Sequence, residues 1–506
     1  MSVDPNVKNY ILDVGMAQLF DEMAAAILRD RPRDLKGYLL EWLKKGAGAK
    51  EDFRRKMQQE KLSEAFIAAF LQSYADLVEG KTGMIPESTI TPVKSLPHLE
   101  SLSSSVDSAL LGKTVVLKLN GGLGTSMGLE KAKSLLPVKG NDTFLDFIAK
   151  QIMHLREEHK APLKFMLMNS FSTSDDTKSY LSKYPDLLKD PELELLQHKA
   201  PKVAVDNLEP VSWPKAPDQE WCPPGHGDLY AALSGSGKLD ALLRQGFKYM
   251  FISNSDNLGA TLDLKILTFF AQSKAPMMME VCERTESDKK GGHLAQDKDG
   301  NLLLRESAQC PKEDEGAFQD ITKHQFFNTN NLWLDLEQLK EALNRNGGYI
   351  PLPMIRNSKT VDPRDGNSTK VYQLETAMGA AIASLRGSKA LIVPRQRFAP
   401  VKTCSDLFVL RSDAFAVTPD WRLELAPACN GKGPVVDLDT KLYKLVDKME
   451  SLTPDGVPSL VKCSRLTVKG PVVFAKGTTL SGEVQIVNKG SSPQTVSGMV
   501  DKAVEF

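Results

Sequence analysis

Hydrophobic positions change rhythm three times along this chain. Over residues 7–80, Leu12, Met16, Leu19, Phe20 and Met23 recur at helical spacing. The densely charged residues 50–60 predict a solvated helical face, and the apolar run 65–71 predicts a buried helix. Residues 83–97 hold three prolines and little periodicity, which predicts an extended connector. From 111 to 394, short apolar runs alternate with helical segments. The runs at 115–119, 165–168, 249–253, 277–281 and 391–393 predict strands. The alternation predicts an α/β domain around a mixed, mostly parallel sheet. After 460 the period becomes six. Leu466, Val472, Thr478 and Val484 form one hexad series, and Val468, Phe474, Leu480 and Ile486 a second, with Gly470, Gly477 and Gly482 among them. Interlocked hexads point to parallel β-helix coils, against an antiparallel meander of period two. The expected division is 1–110 helical region and connector, 111–410 α/β domain, and 411–506 C-terminal domain.

The first predicted strand runs into Leu119-Asn120-Gly121-Gly122-Leu123-Gly124-Thr125-Ser126-Met127-Gly128, with Lys133 just beyond. Glycines let a backbone approach a polyphosphate, free N–H groups donate to it, and a lysine neutralises it. A Walker loop or a dinucleotide fingerprint beginning at Gly122 would need glycine where Met127 stands, so both spacings fail. Gly235-Ser236-Gly237-Lys238 looks like a Walker tail, but Ala232 and Leu239 break it, and it reads as a helix terminus. A structural turn remains the plain alternative for residues 121–128.

This loop resembles the nucleotide-binding loop of the eukaryotic-type UDP-glucose pyrophosphorylases, and further blocks agree in order from about residue 65 to about 490. The resemblance implies a nucleotide-diphospho-sugar transferase-like domain with N-terminal helices and a C-terminal left-handed β-helix. It implies transfer of UMP from UTP to glucose 1-phosphate, releasing pyrophosphate, with Mg²⁺ as cofactor. The assembly would be a monomer, or a homo-oligomer through the C-terminal domain.

Composition narrows the remaining classes. Lys plus Arg equals Asp plus Glu at 64 each, so no basic excess calls for nucleic acid. Mean hydropathy is negative and no apolar run approaches a membrane span. Residues 1–10 are polar, which predicts no secretory signal, and residues 504–506 are not a peroxisomal address. Six scattered cysteines without Cys-x-x-Cys spacing suit a reducing cytoplasm better than a disulfide or zinc framework.

The remaining chemistry lies in short blocks. Asn254-Ser255-Asp256 follows a predicted strand, and a carboxylate there is placed to bind Mg²⁺ beside a polyphosphate, or else to cap the next helix. The family resemblance assigns nucleotide contacts to Leu119, Asn120, Gly121, Gly122, Met168, Gln197, Gly225, His226 and Asn254. It assigns uracil to Gln197, Met168 and Gly122, and the α-phosphate region to His226. On the residues alone, Met168 reads as core and Gln197 as surface. Gly292, Glu306, Asn328 and Asn330 would hold the sugar phosphate. Glu375 is expected to begin a helix. Lys133 would neutralise the leaving pyrophosphate, Asp256 would hold the metal, and Lys402 would steady the attacking phosphate. That phosphate is already ionised, so in-line attack needs alignment and neutralised charge rather than a strong base. A broader UDP-sugar pyrophosphorylase, a dehydrogenase and a non-catalytic nucleotide-binding protein are the competing readings.

Overall fold

The computed structural model describes residues 23–24, 27–28 and 31–506. The periodic residues Leu12, Met16, Leu19 and Phe20 therefore lie outside the described residues.

Ten strands form the central sheet: β1 (Thr91–Pro92), β2 (Thr114–Asn120), β3 (Lys164–Asn169), β4 (Glu194–Leu196), β5 (Tyr249–Asn254), β6 (Met277–Glu283), β7 (His293–Gln296), β8 (Leu302–Arg305), β9 (Phe326–Asp335) and β10 (Lys389–Ile392). Five contain or overlap the runs expected from sequence. The main path is β1-β7-β9-β5-β2-β3-β4, with β6 joining β9 to β10 and β8 flanking β7. Strands β5, β2, β3 and β4 are parallel, as are β6 and β10. Strand β9 runs antiparallel to both β5 and β6, and this makes the sheet mixed. Its polar opening, Asn328-Thr329-Asn330-Asn331, hides it from a search for apolar runs.

Both faces of the sheet are covered, so its central parallel strands are mostly apolar. Val116, Phe165, Phe251, Met278 and Trp333 point into one core, and Val115, Leu117, Met166, Met250 and Met279 into the other. A third core joins α1 (Leu35–Gln59) and α2 (Glu64–Val78) to the α/β domain. Phe53, Phe66, Phe70 and Tyr74 pack there with Ala200, Val203, Cys222, Met354 and Leu374. The charged 50–60 stretch thus has an apolar side: Phe53 and Met57 are fully buried. The connector after α2 contributes β1 to the sheet edge through pairing with β7.

From Val435 onward every strand pairing among the described residues is parallel, which overturns the antiparallel meander. Leu466 lies opposite Val484, eighteen residues on, and Val468 opposite Ile486. All eight hexad residues are buried. Their core is continuous with that under the central sheet.

Glu375 departs from expectation. It ends the strand Lys370–Glu375, paired antiparallel with Ile355–Thr360, and the chain turns helical only from Met378. Pairing of all six residues with Ile355–Thr360, with Val371 buried on one face and Leu374 on the other, overrides the short helical pattern. Gly235-Ser236-Gly237 is a helix terminus, as expected: the helix Leu229–Gly235 ends there and Gly237 turns at φ +73° before Lys238–Arg244.

Candidate active site

Parallel strands end together, and their ends form one rim. Asn254 of β5, Leu119 of β2 and Met168 of β3 share a single rung. The Ser255 N–H donates to the Leu119 carbonyl at 3.1 Å, tying the Asn-x-Asp block to the glycine loop. Gly124 and Gly128 adopt φ +66° and +78°, which only glycine holds without strain, and the Lys133 N–H closes the loop on the Gly122 carbonyl at 3.0 Å. A Cβ on Gly122 would meet nothing within 4 Å, so this backbone faces open space. Short 3₁₀ turns, Thr125–Met127 and Lys133–Leu135, follow the glycines, and no α-helix dipole supports the loop. An anion placed there would meet backbone N–H groups and Lys133.

Two nearby lysines divide their tasks by depth. Lys118 is buried between β2 and β5, donating to Ser253 Oγ at 2.7 Å and to the Ala260 carbonyl at 2.6 Å. Burial pushes its pKa down to about 7. Lys133 instead reaches the rim, where its Nζ lies 2.7 Å from Asp256 Oδ2 and also contacts the Val401 carbonyl. The Val401 N–H donates to the Asp256 carbonyl at 3.2 Å, so the segment carrying exposed Lys402 is held against the same acid. Asp256 caps no helix, because Asp263 caps the next one, Leu264–Ser273. Asn254 Oδ1 and Asp256 Oδ1 are buried oxygens without a hydrogen-bond partner. Two orphaned oxygens one residue apart suit a hard cation that takes its other ligands from phosphate and water. Among the described residues no cluster of three or more His, Cys, Asp or Glu forms a self-sufficient metal cage.

Gln197 and Gly225 meet beside the loop. Gln197 Nε2 donates to the Gly225 carbonyl at 2.9 Å, and its Oε1 lies 2.8 Å from where a Cβ on Gly121 would stand. Any side chain at 121 would displace the Gln197 amide from this position. Gly225 turns at φ +79° against the Thr376 backbone. His226 Nδ1 accepts the Met378 N–H at 2.9 Å, which leaves the proton on Nε2. Burial pulls its pKa down to about 4, so it is a neutral donor at pH 7. Asn120 points its amide below the rim, donating to Asn169 Oδ1 at 2.8 Å and Thr177 Oγ1 at 3.0 Å. Met168 is buried in the sheet.

The expected sugar residues gather at the start of β7, just after β8 and on β9. A Cβ on Gly292 would lie 2.5 Å from Glu306 Oε2, and the Asn328 N–H donates to the Gly292 carbonyl at 3.1 Å. A bulge opposite Glu280–Val281 places Asn330 at φ +62°, where its N–H donates to Asn328 Oδ1 at 2.9 Å. Burial raises the Glu306 pKa, and the nearby Lys402 charge opposes the rise. Lys402 follows Val401, whose carbonyl meets Lys133, so its segment lies between the Lys133–Asp256 pair and Glu306.

The scaffold of that cluster was not legible in sequence. Glu280 is fully buried and receives Arg397 through two 2.8 Å bonds, the Trp333 indole at 2.9 Å and Asn331 at 3.0 Å. Asn257 donates to the Arg397 carbonyl at 3.1 Å and accepts the Ala399 N–H at 3.0 Å. The only sequence signal was an Asn and an Arg flanking blocks already singled out.

Comparison with known proteins identifies the family. The family profile described as UTP–glucose-1-phosphate uridylyltransferase matches residues 64–481. The chain is 42% identical over 378 residues to the UTP–glucose-1-phosphate uridylyltransferase of Saccharomyces cerevisiae, covering 74% of each. It is 38% identical over 426 residues to that of Astragalus penduliflorus, covering 84% of this chain and 88% of the other. A mutant UDP-glucose pyrophosphorylase from Leishmania major, solved in complex with UDP-glucose, superposes with a TM-score of 0.86 at 52% identity, covering 90% of this chain and 99% of that one. A Trypanosoma brucei UDP-glucose phosphorylase gives 0.83 at 52% identity, covering 91% and 100%. The glycine loop, the rim it shares with the Asn-x-Asp block and these matches place the chain in the eukaryotic-type UTP–glucose-1-phosphate uridylyltransferase (UDP-glucose pyrophosphorylase) family of nucleotidyltransferases.

Proposed function

We propose that this protein transfers UMP from UTP to glucose 1-phosphate, forming UDP-glucose and pyrophosphate reversibly. The observation that carries the reading is the meeting of Lys133, Asp256 and the Lys402 segment between a nucleotide half and a sugar half. A phosphate oxygen of glucose 1-phosphate attacks the α-phosphorus in line. The new P–O bond forms as the bond to the β-phosphate oxygen breaks, and pyrophosphate leaves with that electron pair. The attacking oxygen is already ionised, so alignment and charge stabilisation do the catalysis.

Without nucleotide, Lys133 and Asp256 neutralise each other. A triphosphate in the glycine loop offers Lys133 a stronger anion, and the lysine then stabilises the departing pyrophosphate. Lys402 holds the attacking phosphate beside Glu306, which accepts sugar hydroxyls. His226 donates its Nε2 proton to an α-phosphate oxygen without adding charge. Gln197 reads the uracil edge: its Nε2 is committed to Gly225 through one proton, and Oε1 is left to accept from the base. Asn254 Oδ1 and Asp256 Oδ1 would hold Mg²⁺, which supplies charge neutralisation on phosphate oxygens when bound.

The C-terminal parallel coils are read as the β-helix that the hexads suggested, left-handed as the family resemblance implies, and the protein as cytoplasmic. No helix among the described residues is long and apolar enough to cross a membrane, and the six cysteines are free.

The test is pyrophosphate release from UTP and Mg²⁺ with glucose, galactose, xylose and N-acetylglucosamine 1-phosphates. Strong preference for glucose 1-phosphate is expected. Comparable rates with several sugars would make the enzyme a broad UDP-sugar pyrophosphorylase. No release with any sugar would sink the proposed reaction.

A further inference from the structure

Ser63, His198 and Asp228 form a hydrogen-bonded chain from the N-terminal helices to the nucleotide half of the site. Ser63 Oγ lies 2.9 Å from His198 Nε2, and His198 Nδ1 lies 2.9 Å from Asp228 Oδ1. Asp228 Oδ2 also accepts the His198 main-chain N–H at 2.7 Å. The imidazole stacks on Phe66 of α2, with ring centroids 4.5 Å apart. A carboxylate only accepts, so Nδ1 carries the proton and Nε2 accepts from the Ser63 hydroxyl.

Serine, imidazole and carboxylate stand in the order of a nucleophilic triad. The surroundings rule out that use. Ser63 is the N-cap of α2 and accepts the Phe66 N–H at 3.3 Å. A Cβ on Gly235 would lie 2.3 Å from Ser63 Oγ, so the backbone of another helix closes over the hydroxyl and leaves no room for an acyl group.

What the chain joins gives its purpose. His198 directly follows Gln197, and Asp228 lies two residues after His226. The carboxylate grips both the ring and the main chain of His198, which locks these two distant segments at one separation. The Gln197 Nε2 bond to Gly225 spans the same pair of segments on the site side. The Asp228 side chain is fully buried, and the turn that carries it packs on Thr376, whose carbonyl accepts the Gly227 N–H at 2.9 Å; a cavity of about 520 Å³, walled by Phe66, Phe70, Gly227, Leu352 and Thr376, opens beside it. With the 225–228 turn anchored at Thr376, the Asp228 bonds to His198 hold the 197–198 segment against it.

We infer that Ser63, His198 and Asp228 are positioning residues that set the base-reading geometry of Gln197 and Gly225, making uracil selectivity depend on the N-terminal helix α2. The inference rests on the proposed role of Gln197 at the uracil edge. Wild-type full-length protein is assayed first with UTP and with CTP. Absent UTP turnover, or no preference for UTP, would refute that role itself.

Given that preference, His198→Phe keeps the stacked ring and removes both hydrogen bonds. It should raise the KM for UTP by about tenfold and narrow the UTP-over-CTP ratio of kcat/KM by about tenfold. The KM for glucose 1-phosphate should stay within about twofold. His198→Asn, whose amide can donate to Asp228 in place of Nδ1, should recover most of the selectivity. Unchanged selectivity in His198→Phe, equal losses toward both substrates, or no recovery in His198→Asn would each overturn the inference. Should His198→Phe not fold, Ser63→Ala carries the same test: selectivity should narrow by about threefold, and an unchanged ratio overturns the inference.

Discussion

Single residues in this site owe their chemistry to what already occupies their bonding capacity. Lys118 and Lys133 lie on the same sequence block, yet one is committed to Ser253 and Ala260 beneath the sheet and the other to Asp256 at the rim. Lys133→Ala should therefore lower kcat by about a hundredfold or more, as removal of a group that stabilises transition-state charge does. Circular dichroism should stay native, since the pair is partly solvated at side-chain exposures of 16% and 19%. Turnover within a few-fold of wild type would exclude Lys133 from the reaction. Gln197 shows the limit of sequence at this scale. Alone it reads as a surface amide, and only the fold brings its oxygen against Gly121 and its nitrogen to Gly225.

Elements are held to one another by buried charge more than their polar sequences suggest. Glu87, in the connector between α2 and β1, accepts Arg305 Nη1 at 2.6 Å and His324 Nε2 at 3.0 Å, and pairs with Lys323 at 2.7 Å. It thereby ties the connector to β8 and to the approach of β9, beside the residues proposed to bind the sugar. Burial acts to raise its pKa, but bonds from Lys323, His324 and Arg305 outweigh it and hold the value down to about 2. The folded pKa lies below the unfolded one. Its stabilisation is thus complete above the unfolded value of 4.5 and is lost as pH falls toward about 2. Unfolding midpoints from pH 6 to 2.5 should show that decline, and Glu87→Gln should flatten it. An unchanged slope would remove Glu87 from the linkage. Glu280 ties the Arg397–Lys402 segment to the sheet through its buried ion pair with Arg397, and Glu280→Gln should destabilise the protein by about 3 kcal/mol, read by denaturant unfolding, because Arg397 is left buried without its counter-charge.

Over the whole molecule, the α/β domain is not separable from its flanks. The core under one face of the sheet continues into the C-terminal coils, and α1 and α2 close a third core against strands and loops of the central domain. Leu445 of the C-terminal part packs on Gly128 of the glycine loop, where a Cβ would come within 3.1 Å. Deleting residues up to 80 should expose Ala200, Cys222, Met354 and Leu374 and give an aggregating or strongly destabilised protein, measured by solubility and thermal midpoint. A truncated protein with the wild-type midpoint and activity would show the helices to be an accessory.

Local chemistry fixed a good part of this in advance. Apolar runs bounded by turns located five strands, because strands buried on both faces must be apolar throughout. The glycine-rich loop and the Asn-x-Asp block were legible because close phosphate approach restricts backbone and side chain locally. The hexads predicted inward residues, since a parallel coil repeats its geometry. Tertiary structure alone decided the antiparallel course of β9, the strand at Glu375 and every long-range partner: Asp256 for Lys133, Arg397 for Glu280, Asp228 for His198. Those pairs lie far apart in the chain. A hydrogen bond or ion pair between distant segments leaves no period in sequence, because its energy depends on where the fold brings two groups together.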